Sequence, residues 1–228
     1  MNVRIARIDR RQVLLYLGYR GGAIPAETEE RIRRCEETLM QTAFPRCVWK
    51  RFDLLPDRTL KGTSFAFQGR DVWKMLAGCA HAILMAATLG GEVEALIRRA
   101  QVTDMADALI IDACASAAIE SVCDGLCDEI ARQSAPLYLT DRFSPGYGDF
   151  PLAQQAEIFR VLDISRRIGV TLTDSGLMVP QKTVTAVLGL SAVPVKKRPR
   201  GCAAADPRRK ESPDSLESSG PLRYHILL

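Results

Sequence analysis

The sequence predicts an α+β fold: a twisted, mainly antiparallel sheet with flanking helices, one of them long and rich in Ala and Cys. Three observations carry that prediction. Helical and extended patterns interleave without the regular strand–helix–strand rhythm of a parallel sheet. Two β-rich runs, Cys47 to Leu54 and Leu60 to Gln68, flank the turn signal Pro56-Asp57 and suggest a hairpin. From Asp104 to Gln133 the pattern stays helical, and its many small residues let another element approach the helix backbone closely.

The elements follow in order. Pro25 and the acidic turn Glu27, Glu29 and Glu30 open a helix over 25–43, with Arg31, Arg33 and Arg34 further along, as the helix dipole favours. Its apolar stripe is Ile32, Cys35, Leu39 and Met40. Asp71 to Ala77 reads as a short helix. Cys79 to Thr88 is apolar on both faces; its shortness favours a buried strand over a buried helix. Glu92 to Ala100 is helical. After the long helix, Leu137 to Thr140 is extended, and a segment with two Pro and two Gly, Arg142 to Pro151, must be a structured loop. A helix from Leu152 to about Ser165, a strand over Val170 to Thr173 and a β-branched strand over Thr183 to Leu190 complete the fold.

Composition narrows the function classes. With 228 residues, 47% of them hydrophobic, the chain can bury a sizeable core. The longest apolar run, Ala82 to Leu89, is far shorter than the roughly 20 residues of a membrane span. The charged start lacks a signal-peptide core, so the protein reads as cytoplasmic, with no membrane partner. Of 31 Lys/Arg and 27 Asp/Glu, residues 196–228 hold eight and four, which leaves 23 of each in the body. A neutral body with a basic end is not a nucleic-acid groove. The division predicts one domain over 1–195 and a basic, Pro/Ser-rich tail over 196–228 that is expected to be disordered. The seven cysteines are read as reduced thiols. Cys123 and Cys127 stand four apart on the long helix, but no His or second Cys pair completes a zinc site. His81 lies in an apolar run and reads as a satisfied core residue rather than a base. No Rossmann fingerprint, P-loop or nucleophile elbow is present.

The loop carries the chemistry. Gly146 and Gly148 permit backbone conformations closed to other residues, Arg142 supplies a planar cationic fork suited to a carboxylate, and Tyr147 offers a flat ring with a hydroxyl. An ordinary Pro/Gly turn with an ion-paired Arg is the alternative. Ala113, Ser116 and Glu120 share one face of the long helix, so the Glu120 carboxylate projects from a small-residue surface.

The run Arg142-Phe-Ser-Pro-Gly-Tyr-Gly-Asp-Phe-Pro151, then Ile168-Gly-Val-Thr-Leu-Thr-Asp-Ser-Gly-Leu-Met-Val-Pro180, then Lys182-Thr-Val-Thr-Ala-Val-Leu-Gly189 resembles, in order and spacing, the activation domain of cobalamin-dependent methionine synthase. The opening Val13-Leu-Leu-Tyr-Leu-Gly-Tyr-Arg-Gly21 is similar to short free-standing bacterial members. The resemblance implies binding of S-adenosylmethionine (AdoMet) by Glu120, Arg142, Ser144, Gly146, Tyr147 and Asp174. Arg142 would take the carboxylate, the loop backbone around Ser144 and Gly146 would meet the ligand, and Tyr147 would lie near the adenosyl group and the corrin. Asp174 stands where the family usually has Glu, and a family tyrosine on the last strand falls near Leu188. The tail keeps only Cys202, where free-standing relatives carry a cysteine cluster.

The implied role is that of a component of methionine synthase activity that supports reductive remethylation of cob(II)alamin, with no catalytic acid or base and no metal ligand of its own. The cobalamin would be carried by a partner, methionine synthase or another corrinoid protein, and the electron supplied by a flavodoxin-like reductant. The competing expectations are a non-catalytic corrinoid-binding or assembly protein with the same fold, or a degenerate copy.

Overall fold

The computed structural model describes residue 5 and residues 7–195; the 196–228 segment and the disorder expected of it lie outside the described residues. The elements are α1 (Arg10–Tyr16), α2 (Ala26–Thr42), β1 (Arg46–Asp53), α3 (Arg70–Met75), β2 (Cys79–Thr88), α4 (Gly91–Thr103), α5 (Met105–Gln133), β3 (Tyr138–Leu139), α6 (Gln154–Leu162), α7 (Ile164–Ile168), β4 (Thr171–Leu172), β5 (Met178–Val179) and β6 (Thr183–Ser191). The fold is α+β. Its main sheet has the order β1-β2-β6-β3 and is antiparallel throughout, while β4 and β5 form a separate two-stranded hairpin.

The sheet is covered on both faces, which explains why β2 is apolar without alternation. Side chains alternate along a strand. Ile83, Met85 and Ala87 enter one hydrophobic cluster with α1, α2, α4 and α5, and Ala82, Leu84 and Ala86 enter a second with α3, α6 and α7. The same parity divides β6: Ala186, Leu188 and Leu190 face the first cluster and Val187 the second. Each fully buried Leu or Ile contributes about 1.5–3 kcal/mol relative to exposure.

Asp104 starts α5: its extended backbone ends the preceding helix, and its carboxylate accepts from the N–H groups of Ala106 and Asp107. The helix lies between the sheet and α1, α2 and α4, so it buries residues around most of its circumference, from Ala108 to Ile130. Across this packing Arg31 pairs with both Asp104 and Asp107.

Four expectations are revised. The segment from Leu60 to Gln68 is not a strand; only single bridges, Leu54 with Leu60 and Thr59 with Ala66, remain of the expected hairpin. β1 pairs with β2 over its whole length, and Leu60, Phe65 and Phe67 plug the second cluster instead of alternating along a ladder. The helix expected over 152–165 is broken at Asp163, whose left-handed backbone (φ 52°, ψ 47°) caps α6 before α7 begins. The strand expected over Val170 to Thr173 shortens to two residues and joins the separate hairpin. Met40 is exposed, outside the α2 stripe formed by Ile32, Cys35 and Leu39. The Val13–Gly21 opening contains α1, capped by the Asp9 carboxylate on the N–H groups of Arg11 and Gln12. His81 is half-buried at one end of the sheet, where its Nδ1 lies 3.0 Å from Asp53 Oδ1. No helix among the described residues is long and apolar enough to cross a membrane.

Candidate functional site

The site begins where β3 ends. Residues 140–143 continue beside β6: Thr140 N–H donates to Gly189 O at 3.0 Å, and Phe143 and Val187 exchange both backbone hydrogen bonds at 2.9 Å. Strand alternation sends the Phe143 side chain into the second cluster and the neighbouring Arg142 toward α5. There Arg142 Nη2 donates to Glu120 Oε2 and Nη1 to Asp124 Oδ1, both at 2.7 Å, with Cys127 Sγ 3.7 Å from Nη1. The fork that was expected to grip a ligand carboxylate is thus turned onto two acids one helical turn apart.

The electrostatics follow from that sharing. Burial works against the charge of Arg142, but Cys123, Glu120, Cys127 and Asp124 around it raise its pKa above the ordinary arginine value. Glu120 shares its guanidinium with Asp124, so burial prevails over the nearby cation and lifts its carboxyl above the usual 4.5. Burial, with the Glu120 charge added, also raises the Tyr147 phenol.

Beyond Arg142 the chain turns tightly. Gly146 N–H donates to Phe150 O at 2.8 Å, and Tyr147 N–H to Ser144 O at 3.2 Å. Phe150 is buried and stacks on Phe143 with ring centroids 6.1 Å apart, so the loop is rooted in the core while Gly146 and Tyr147 stay exposed. The far side is fixed by Asp149, whose carboxylate accepts from the N–H groups of Arg70 and Asp71 at the start of α3. Contact is close enough that a side chain at Gly69 or Gly148 would strike the neighbouring segment.

Asp174 lies on the exposed turn between β4 and β5. Among the described residues it makes no hydrogen bond or ion pair with the Arg142 cluster. Leu152 links the two parts, since it would meet a Cβ at either Gly146 or Gly176 at 3.6 Å. The buried Gln155 amide holds the turn through Gly176 O at 2.8 Å. Two shallow cavities of about 380 and 430 Å³ flank Arg160 on α6, and neither is lined by a residue of the 142–151 loop. The groups there bond one another: Gln154 to Ala66 O and Gln68 N–H, Arg160 to Ser64.

Residues 83–192 match the sequence profile of the family described as vitamin B12 dependent methionine synthase, activation domain. The match covers a little under half of the chain. It runs from β2 through β6 and contains α5, the 142–151 loop and the hairpin. No curated protein matches the chain by sequence. Among solved structures, a MetH reactivation domain bound to AdoHcy is similar, with a TM-score of 0.60 and 17% identity, over 83% of this chain and 77% of that one. At that identity the likeness is one of fold, and it extends into the segments N-terminal to the family match.

Glu120 and Arg142 are in direct contact, Ser144, Gly146 and Tyr147 share one loop, and Asp174 is set apart on the hairpin. Leu188 is fully buried in the cluster that includes α5. Sequence reasoning missed Asp124, although it follows Glu120 by four residues on the same helical face, and it missed Lys182. The Lys182 ammonium lies 2.7 Å from Asp112 Oδ1 and donates to Ser116 Oγ at 2.9 Å, where β6 begins.

Proposed function

We propose that this protein binds AdoMet beside the 142–151 loop and presents it to a cobalamin-carrying partner, supporting reductive remethylation of cob(II)alamin. The observation that carries the reading is the rooted loop with Tyr147 exposed at its tip, next to a carboxylate, Glu120, that burial has made reluctant to ionise. A cationic ligand satisfies such a carboxylate, and AdoMet has an ammonium and a sulfonium. The residues present therefore fit the ligand: Glu120 for the ammonium, the Ser144–Gly146 backbone for close approach, and the Tyr147 ring as a flat exposed face. Arg142 holds Glu120 in place, and Asp174 lies on the adjoining turn. When bound, AdoMet supplies a methyl group on sulfur, and no acid or base from this chain is required. The chain's contribution is placement.

The partner is a cobalamin-binding methionine synthase or another corrinoid protein, with a one-electron donor of the flavodoxin type. With cobalamin-loaded synthase lacking its own activation domain, AdoMet and that donor, one electron and one methyl group convert cob(II)alamin to methylcobalamin, leaving S-adenosylhomocysteine. Adding this protein should accelerate the loss of cob(II)alamin absorbance. Decay no faster with the protein than without it, across several partners, would reject the reading. Leu188 favours a second reading, a corrinoid-binding or assembly protein without productive AdoMet binding, because a core leucine replaces the family's tyrosine. That reading is distinguished by binding to the corrinoid partner with no AdoMet affinity.

A further inference from the structure

We propose that the outer face of α4 is the surface on which two copies of this chain pair, their α4 helices antiparallel about a two-fold axis at the middle of the helix. The proposal goes beyond the AdoMet reading and uses no residue of the 142–151 loop.

α4 buries Val93, Leu96, Ile97 and Ala100 on one side. At about 3.6 residues per turn the opposite side carries Gly91, Ala95, Arg98 and Val102, with Glu92 and Arg99 along one border and Glu94 along the other. The ends of this face are apolar. Val102 is 89% exposed in the last turn, and Met105, just past the helix, is 66% exposed. At the other end Phe44 is 57% exposed; its N–H donates to Leu89 O at 3.0 Å, and its carbonyl oxygen lies 3.3 Å from where a Cβ on Gly90 would stand. The middle is small and charged. Among the described residues the side chains of Glu92, Arg98 and Arg99 have no ion-pair partner.

This pattern is complementary to itself when reversed. Glu92 and Arg99 share one border and stand at equal distances, roughly 5 Å along the axis, to either side of the point between Ala95 and Leu96. A two-fold axis lying across the helix at that point reverses its direction and keeps each border against itself, so Glu92 of each copy meets Arg99 of the other. Glu94, which accepts from Gln181 N–H, approaches Arg98 of the other copy in the same way. Val102 lies roughly 10 Å from the axis. That is the distance to the Leu89-Gly90 entrance of the helix, so Val102 of one copy comes onto Phe44 of the other. Ala95 leaves only a methyl group at the centre, which lets the two helices approach closely. A second copy thus supplies an acid for each base and an apolar side chain for each apolar end. An acidic partner of another kind, or an anionic lipid surface, would satisfy the arginines and repel Glu92 and Glu94.

Sedimentation velocity of the full chain over a dilution series tests the pairing, and should resolve a monomer and a dimer in exchange. Val102→Asp alters a side chain almost wholly in solvent, so it should leave the melting temperature unchanged while weakening the dimer by about tenfold or more. Glu92→Arg or Arg99→Glu alone sets like charges against each other twice across the two-fold axis, and each should weaken the dimer by about tenfold. The double variant exchanges the two charges and should recover most of the association. A role for these residues within one chain cannot produce that recovery. A monomer at every concentration up to the solubility limit, a dimer indifferent to Val102→Asp, or a double variant no tighter than the single ones overturns the proposal. Association is measured without AdoMet, so the ligand-binding reading stands or falls separately.

Discussion

Glu120 concentrates the chemistry of the site in one titration. Its carboxyl is raised above 4.5 because burial outweighs its half share of Arg142. The sign follows: in the folded protein Glu120 takes up its proton at a higher pH than in the unfolded chain. Acidification through that window therefore favours the folded protein at this residue while it removes the charge that a ligand ammonium needs. AdoMet affinity should accordingly fall on acidification, with the bend above the ordinary glutamate value, and Glu120→Gln should flatten the profile. A bend at or below 4.5 would mean that burial does not govern this carboxylate. Family resemblance made Glu120 and Arg142 legible in the sequence, but not the contact between them. Acids four apart on a helix also describe a solvated face. Only the position of β6 shows that Asp124 and Lys182 face protein.

At the scale of elements, the loop depends on two glycines of unequal tolerance. A Cβ at Gly69, where φ is +99°, would stand 2.6 Å from the backbone oxygen of Asp149. At Gly148, where φ is +54°, it would stand 2.5 Å from the Asp71 carboxylate oxygen, the end of a side chain that can swing away. Gly148→Ala should cost about 1–2 kcal/mol of stability, the penalty of a left-handed alanine. Gly69→Ala should cost more and also weaken AdoMet binding, since it pushes the loop from behind. Urea midpoints for the two variants check the ranking, and equal midpoints would refute it. The sequence revealed the long helix, β1, β2 and β6, because each has a sustained periodicity or an unbroken apolar run. It did not reveal the fate of Leu60 to Gln68. Two aromatic residues at alternate positions suit both a strand and a buried plug, and the choice falls to Gln154, which holds Ala66 and Gln68 from 86 or more residues away. Nor did any local signal mark the break at Asp163, since Asp is ordinary in a helical pattern.

For the molecule as a whole, one sheet separates two hydrophobic clusters, whose buried members among the described residues fall between Ile5 and Leu190. The sequence beyond Val195 has few large apolar residues, so a chain ended there should melt within a few degrees of the full protein, as calorimetric scanning would show. A large drop would place part of the core in the remaining segment. No local signal marks that β6 serves both clusters, with Lys182 just before it and Arg142 on the segment beside it reaching α5. Lys182, just before β6, and Val187, the β6 residue bridged to Phe143 next to Arg142, are five positions apart, roughly 17 Å at strand rise. The helical pairs they serve begin at Asp112 and Glu120, eight positions apart and roughly 12 Å at helix rise. Strand and helix thus act as two graduated rulers laid together, and the reach of the site is fixed by their graduations. A ruler of this kind can be reset only in whole divisions. Two residues on the strand keep the side chain on the α5 side, four on the helix keep it on the same line, and one residue on either turns the contact away.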